Sequence, residues 1–351
     1  MKVMDAEFCT LHSYSSDQFA IHTHLGKKSQ FDHDLELHWQ DCMRRGFFRY
    51  GLDDIQTKRV AGRYGFIAQL NIKRAVERRK PQFVSDVIMP FDAEIFNFTK
   101  VKKNEILFQL NPLHRKKDQT SNDEKSVLII NVSPLEYCHS LLVPGIENCY
   151  PQVLTLNGLK LGIEMMMISY NPSLKIGFNS LGAYASVNHL HFHVYYLPES
   201  LFIQHAPVVC LMRECYVLKC FPSEGFVFQL LEKENIEIVA RSVMKLIEFL
   251  LAKKIAHNVL IMRGSSFSES SSQKNDLFNS IRIYVWARKP SFGSKNDLAF
   301  NPALCELGGH LPIKELKYFE SITEAEVADI LYDVCHETFI KIKDDVEKLY
   351  S

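Results

Sequence analysis

His189-Leu190-His191-Phe192-His193-Val194-Tyr195-Tyr196 alternates imidazoles with apolar side chains over eight residues. That alternation is the period of a half-buried β-strand, in which successive side chains point to opposite faces. His189, His191 and His193 therefore share one face, while Leu190, Phe192 and Val194 anchor the other. Three imidazoles presented together suit one of two chemistries. A neutral ring is a good nucleophile toward phosphorus, because its protonation falls near neutral pH. Three rings can also bind zinc and leave one position open, although this stretch holds no Asp or Glu to orient metal-bound rings.

Immediately upstream, residues 179–188 read Asn-Ser-Leu-Gly-Ala-Tyr-Ala-Ser-Val-Asn. Gly182, Ala183 and Ser186 are small enough for backbone N–H groups to approach a phosphate, as in anion-binding nests. Asn179 and Asn188 add amides, and Ser180 adds a hydroxyl. A nucleophile and a phosphate cradle thus fall within fifteen consecutive residues. The candidate catalytic residues are His191, His189 and His193, joined by Ser186 on the resemblance described below, and the candidate substrate contacts are Asn179, Ser180, Gly182, Ala183 and Asn188. No metal and no cofactor is expected.

Further out, the pattern is that of an α+β protein. Residues 127–132 (VLIINV) and 139–143 (HSLLV) suit buried strands, and 152–169 suits an amphipathic helix before a strand at 175–179. The second part repeats this cadence: a strand at 226–230, a helix at 234–253, then strands at 258–263 and 281–287. A final helix spans 323–349. Strand-like runs are also read at 94–101 and 105–110, and a short helix at 35–50. Residues 114–126 and the Ser-rich 264–276 read as solvated loops. The division is a partly ordered leader (1–44), a half bearing the triad (45–205) and a second, degenerate half (206–351).

Composition narrows the function classes. Lys plus Arg and Asp plus Glu both number 41, so the broad basic footprint of a nucleic-acid binder is missing. No apolar run reaches the length of a membrane span, and the start lacks a signal-peptide core. The nine cysteines are odd in number and form no CxxC pair, which argues against a disulfide framework or zinc ribbon and for reduced thiols in the cytoplasm.

The triad matches the signature His-φ-His-φ-His-φ-φ, and the chain resembles the histidine-triad superfamily. FNSLGAYASVNHLHFHVYYLP (178–198), IINVSPLEYCHSLLVP (129–144), ERRKPQ (77–82), PFDAEIFNFTKVKKNEILF (90–108) and FNPALCELGGHLP (300–312) resemble one branch of it, the GDP-hexose phosphorylases of animals and plants. The resemblance runs from about residue 45 to 345. It implies two histidine-triad-like halves in one chain, as in galactose-1-phosphate uridylyltransferase, forming antiparallel sheets with packed helices and a pseudo-dimer. It also implies phosphorolysis of GDP-D-glucose by inorganic phosphate through a guanylyl adduct on His191, by a monomer or homodimer without nucleic-acid or membrane partners. Ser186 sits five positions before the nucleophile, as a serine does in the uridylyltransferases, and His139 matches a strand histidine near the site. Two positions depart from the pattern. Cys138 stands where glycine commonly precedes that histidine. His193 stands where the uridylyltransferases carry glutamine; hydrolase branches also carry histidine there, so the triad leaves the acceptor open, phosphate or water. The alternative is therefore a nucleotide-sugar or dinucleotide hydrolase releasing GMP.

Overall fold

A computed structural model describes residues 10–23, 26–115, 125–268, 278–292 and 298–351. Its strands in chain order are β1 (Leu11–Tyr14), β2 (Gln56–Arg59), β3 (Ile67–Leu70), β4 (Ile106–Pro112), β5 (Ser126–Ile130), β6 (Ser140–Val143), β7 (Leu174–Asn179) and β8 (Phe192–Tyr196). The series continues with β9 (Val208–Met212), β10 (Cys215–Leu218), β11 (Phe226–Leu230), β12 (Ala256–Gly264), β13 (Ser280–Arg288) and β14 (His310–Ile313). The helices are α1 (Gln30–Arg44), α2 (Ile72–Glu77), α3 (Leu156–Ile168), α4 (Ile236–Ala252), α5 (Leu304–Leu307), α6 (Leu316–Ser321) and α7 (Glu324–Tyr350).

Eleven strands form one sheet in the order β1-β4-β5-β6-β8-β7-β12-β13-β11-β10-β9. The order is palindromic about the β7–β12 junction, where Asn179 to Lys175 run antiparallel to Asn258 to Met262. The unit β6-α3-β7-β8 recurs as β11-α4-β12-β13, so the repeated cadence of the sequence is a duplicated topology. Phe192, Val194 and Tyr196 on β8, with Ile176 and Phe178 on β7, pack under α3 and α4 in one core. Each such side chain stabilises the fold by roughly 1.5–3 kcal/mol relative to exposure.

The opposite face of the sheet carries Tyr195, Leu260, Met262, Tyr284 and Trp286, and a second core covers it. The cover is the small sheet β14-β3-β2 together with α5 and α6. α7 clamps both layers. Its buried stripe Val327-Leu331-Cys335 joins the second core, and Phe339-Ile342-Val346-Tyr350 joins the first. The spacing of three or four residues is one face of a helix, and a Thr323/Glu326 capping box starts it.

Several sequence expectations are corrected here. The helix read at 35–50 begins at Gln30, where Ser29 and Asp32 form a capping box, and ends at Arg44. Asp32 is fully buried and accepts hydrogen bonds from Ser169 Oγ, Tyr196 Oη and the Tyr170 N–H, and β1 pairs with β4. Residues 10–23 and 26–44 are therefore built into the sheet and its helical core. Residues 94–101 form no strand. They make an irregular turn with a 3-10 segment at Phe98–Lys100, because the Phe98 N–H is taken by a histidine side chain instead of a neighbouring strand. The histidine strand begins only at Phe192, so His189 lies in a bend and His191 on the last residue before the strand. Residues 116–124 and 269–276 of the two anticipated loops lie outside the described residues.

Candidate active site

His191 is buried at 2% exposure, on the sheet face away from α3 and α4. Its Nδ1 lies 2.7 Å from the His189 carbonyl oxygen and 2.9 Å from Gln152 Oε1. Both partners are acceptors, so Nδ1 carries the proton and Nε2 keeps its lone pair. The amide orientation follows independently. Gln152 Nε2 donates to the carbonyls of Asn179 (2.8 Å) and His191 (3.2 Å), which leaves Oε1 to accept the His191 N–H at 2.9 Å. Among the described residues Nε2 makes no hydrogen bond. Burial pushes the His191 pKa down to about 4, against a smaller opposing pull from the His189 carbonyl, so the ring is neutral at physiological pH.

The two flanking rings are oriented by different partners. Phe98 N–H donates to His189 Nδ1 at 3.1 Å, which places the His189 proton on Nε2, a buried donor without a partner. Phe91 and Phe98 wall this side, with ring centroids 5.2 and 5.5 Å from His189, and Phe98 lies 5.0 Å from His191. Burial, then the neighbouring His191, lowers the His189 pKa to about 3. On the other side a relay runs through His139. The Leu135 N–H donates to His139 Nδ1 at 2.7 Å, so His139 Nε2–H donates to His193 Nδ1 at 3.0 Å. His193 is thereby held as an Nε2–H donor. Burial keeps both of these imidazoles well below their ordinary pKa, reinforced at His139 by His193 and at His193 by His191.

Cys138 adopts φ +57°, in the left-handed region that favours glycine, and this is the turn that delivers His139 into the relay. The conformation gives a physical reason for glycine being common at this position.

The upstream loop is placed differently from the triad. Asn179 Oδ1 accepts from Asn258 Nδ2 (2.6 Å) and the Leu304 N–H (3.2 Å). Ser180 Oγ accepts the His257 N–H (2.9 Å). The Ala183 N–H donates to Ser180 O and its carbonyl accepts from Asn258 Nδ2, while Gly182 O accepts the Ser291 N–H. Gly182 has φ +74°, and an added Cβ would sit 2.8 Å from the Phe292 ring. These four residues bind the loop to β12 and the 291–292 segment. Asn188 Oδ1 accepts the Gln152 N–H, and its Nδ2 donates to Met89 O and Pro90 O. Ser186 is half-buried, and its carbonyl accepts the Gln82 N–H at 3.1 Å. The structure therefore gathers His189, His191, His193 and His139 into one constellation. The side-chain amides of Asn179 and Asn188 serve its framework.

Four groups of this constellation were not evident from the sequence: Gln152, Phe91, Phe98 and the Leu135 N–H. No local pattern marks them, since each acts through a contact made only in the folded chain. Arg78 and Arg79 separate in the fold: Arg79 lies over the Phe96 ring at 3.3 Å. Arg282 is spent on the carbonyls of Ser265, Ile203 and Ala206, and Arg288 on those of Lys289 and Pro302. Neither is available as a simple phosphate clamp. Among the described residues no group of three or more His, Cys, Asp or Glu is arranged to hold a metal ion, and no helix is long and apolar enough to cross a membrane.

Two family models match: the GDPGP1-like N-terminal domain over residues 30–195 and the GDPGP1-like C-terminal domain over residues 202–350. The chain is 39% identical to GDP-D-glucose phosphorylase 1 of Danio rerio, over 97% of this chain and 98% of that protein. It is 40% identical to GDP-D-glucose phosphorylase 1 of Homo sapiens, over 87% and 80%, and 34% identical to GDP-L-galactose phosphorylase 2 of Arabidopsis thaliana, over 84% and 70%. The fold is similar to the crystal structure of yeast Ap4A phosphorylase Apa2 in complex with AMP, with a TM-score of 0.59 and 14% identity over 89% of this chain and 95% of that one. With both domain models matched and relatives aligned over nearly its whole length, this chain belongs to the GDPGP1-like family.

Proposed function

We propose that this chain is a nucleotidyltransferase that cleaves GDP-D-glucose with inorganic phosphate to give GDP and glucose 1-phosphate. The single observation that carries the mechanism is the His191 ring, its Nδ1–H held by the His189 carbonyl and Gln152 and its Nε2 lone pair unengaged. In the first step Nε2 attacks the α-phosphorus, an N–P bond forms, and the P–O bond to the leaving glucose 1-phosphate breaks. The two acceptors at Nδ1 stabilise the imidazolium character that develops. In the second step a phosphate oxygen attacks the same phosphorus, GDP forms, and His191 is released neutral. His189 and His193, each held as an Nε2–H donor, are the groups to meet charge on the phosphate oxygens, with Ser186 as a further contact. His139 positions His193. Asn179, Ser180, Gly182, Ala183 and Asn188 support the reaction through the framework that holds the loop leading into the triad.

Relatives named GDP-D-glucose phosphorylase 1, matched over 97% and 87% of this chain, support this substrate. The eight described cysteines are all free thiols, which suits a reducing compartment such as the cytoplasm. The halves 45–205 and 206–351 then divide the work, with the triad on the first.

Incubation with GDP-glucose, with and without phosphate, tests the reading. GDP and glucose 1-phosphate should form only with phosphate; release of GMP without it would identify a hydrolase instead. Replacing His191 by Asn should lower turnover by on the order of 10⁴-fold or more and abolish a trapped GMP adduct while the fold persists. Near-full activity of that variant would rule out the covalent route.

A further inference from the structure

Beyond the triad, the layer between β8 and the small sheet holds side chains that the mechanism above does not use. Tyr195 follows His193 by two residues on β8 and faces the same side, since Val194 and Tyr196 point into the helical core. Tyr195 is 1% exposed and its hydroxyl has no hydrogen-bond partner. His310, on β14, is fully buried with both ring nitrogens unpartnered, and its centroid lies 5.9 Å from that of Tyr195. Gln69, on β3 of the same small sheet, is 1% exposed. Its Nε2 donates to Glu136 while its Oε1 is unpartnered. Tyr195 lies 5.8 Å from the His139 ring, so this cluster is continuous with the relay that holds His193. An unpaired buried polar atom costs roughly 1–3 kcal/mol, and four in one layer are not retained without a partner that satisfies them.

The chemistry of the orphans indicates what that partner is. A phenol and a neutral imidazole each offer one donor and one acceptor, and the Gln69 amide oxygen only accepts. At neutral pH phosphate presents mainly acceptor oxygens with an O–H or two at most, so it matches a set that needs both donors and acceptors less well than a sugar does. Sugar hydroxyls both donate and accept, and they match the set. Lys175, across the β7–β8 ladder from Tyr195, is buried and donates to Ser173 O, which leaves it further N–H groups for the same layer. The aromatic wall of Phe91 and Phe98 stands on the opposite side of His191, beside His189.

We propose that Tyr195, His310 and Gln69 form the pocket for the hexose hydroxyls of the nucleotide sugar, on the His193 side of the nucleophile. The proposal rests on glucose 1-phosphate being the leaving group of the reaction above. It makes these residues determinants of hexose recognition with no part in transfer of the guanylyl group.

Two isotope exchanges separate the pocket from the reaction. Exchange of labelled phosphate into GDP uses His191 but no hexose, whereas exchange of labelled glucose 1-phosphate into GDP-glucose needs both. In the intact wild-type chain both should occur. Absence of both would defeat the proposed function itself, a result distinct from failure of the pocket. Tyr195→Phe should lower the glucose 1-phosphate exchange at least about tenfold, as expected for loss of one buried hydrogen bond, and keep phosphate exchange within about twofold. Equal loss of both exchanges, or no change in either, would overturn the pocket. Monodeoxy analogues of GDP-glucose with the wild-type chain give a second reading that needs no variant. At least one deoxy position should cost tenfold or more in kcat/KM, and equal rates for the whole series would also overturn it.

Discussion

The His191 imidazole is held by two opposed effects, and their balance sets its reactivity. Burial removes water that would stabilise the imidazolium, which lowers the pKa from the ordinary 6.5 to about 4; the carbonyl of His189 pulls weakly the other way. The ring is consequently unprotonated through the whole physiological range, yet its Nδ1–H already faces the acceptors that will share the charge formed on phosphorylation. The sign of the pH effect follows. The free base is the nucleophile, so kcat/KM should stay flat from pH 8 down to about 5 and fall only as pH drops through about 4. A profile whose acid limb lies near 6.5 would show a solvated ring and contradict the buried site. Gln152 belongs to the same device: one amide oxygen accepts from both the backbone and the side chain of His191, so ring and main chain move together.

At the scale of elements, the site depends on how closely the central strands approach their neighbours. β12 ends at Gly264, where an added Cβ would meet the Gln204 carbonyl oxygen at 2.3 Å. That carbonyl is not free to retreat, because it accepts the Ser265 N–H, and Gln204 Nε2 donates to Arg263 O. Gly264→Ala should therefore destabilise the protein by about 1–3 kcal/mol, as overpacking against fixed backbone does. The measurement is the urea midpoint at constant m-value; an unchanged midpoint would show that the β12 edge yields freely. The irregular 94–101 segment teaches a related point. Its alternating Phe96 and Phe98 resemble a strand, but its backbone caps the triad, and a segment read from period alone gives no sign that a histidine will accept its N–H.

For the molecule as a whole, buried histidines occur in both layers: the triad rings and His310 lie in the layer away from α3 and α4, while His257 stacks on Phe178 on the helix-covered side. His189, His191, His257 and His310 are all buried, with pKa values lowered to about 3, 4, 4 and 3, chiefly by desolvation. Each is neutral when folded and titrates at the ordinary value when unfolded. Between pH 6.5 and those lower values the unfolded chain binds more protons than the native one, so stability rises with pH in that window and is lost on acidification. Each such histidine adds a slope of up to about 1.4 kcal/mol per pH unit. The urea midpoint or Tm should hold from pH 8 to 7 and drop steeply from pH 6.5 to 5. Formal net charge is zero at pH 7, so general charge repulsion is not the cause near neutrality. An unchanged midpoint at pH 5 would refute the account.

The pattern of the chain by itself determined the α+β class, the shared face of His189, His191 and His193, the repeated strand-helix-strand cadence, and the resemblance that pointed to guanylyl transfer. These are properties of local period and of residue types close in sequence, and backbone geometry converts them into structure with little help. Only tertiary structure decided which nitrogen of His191 is free, because that depends on Gln152, which is 39 residues away. It likewise decided that Phe98, 91 residues from His189, sets the tautomer of that ring, and that His310 of the 300–312 motif stands against Tyr195. A hydrogen-bond partner is chosen by where the chain returns to, and no periodicity in a single stretch encodes that return.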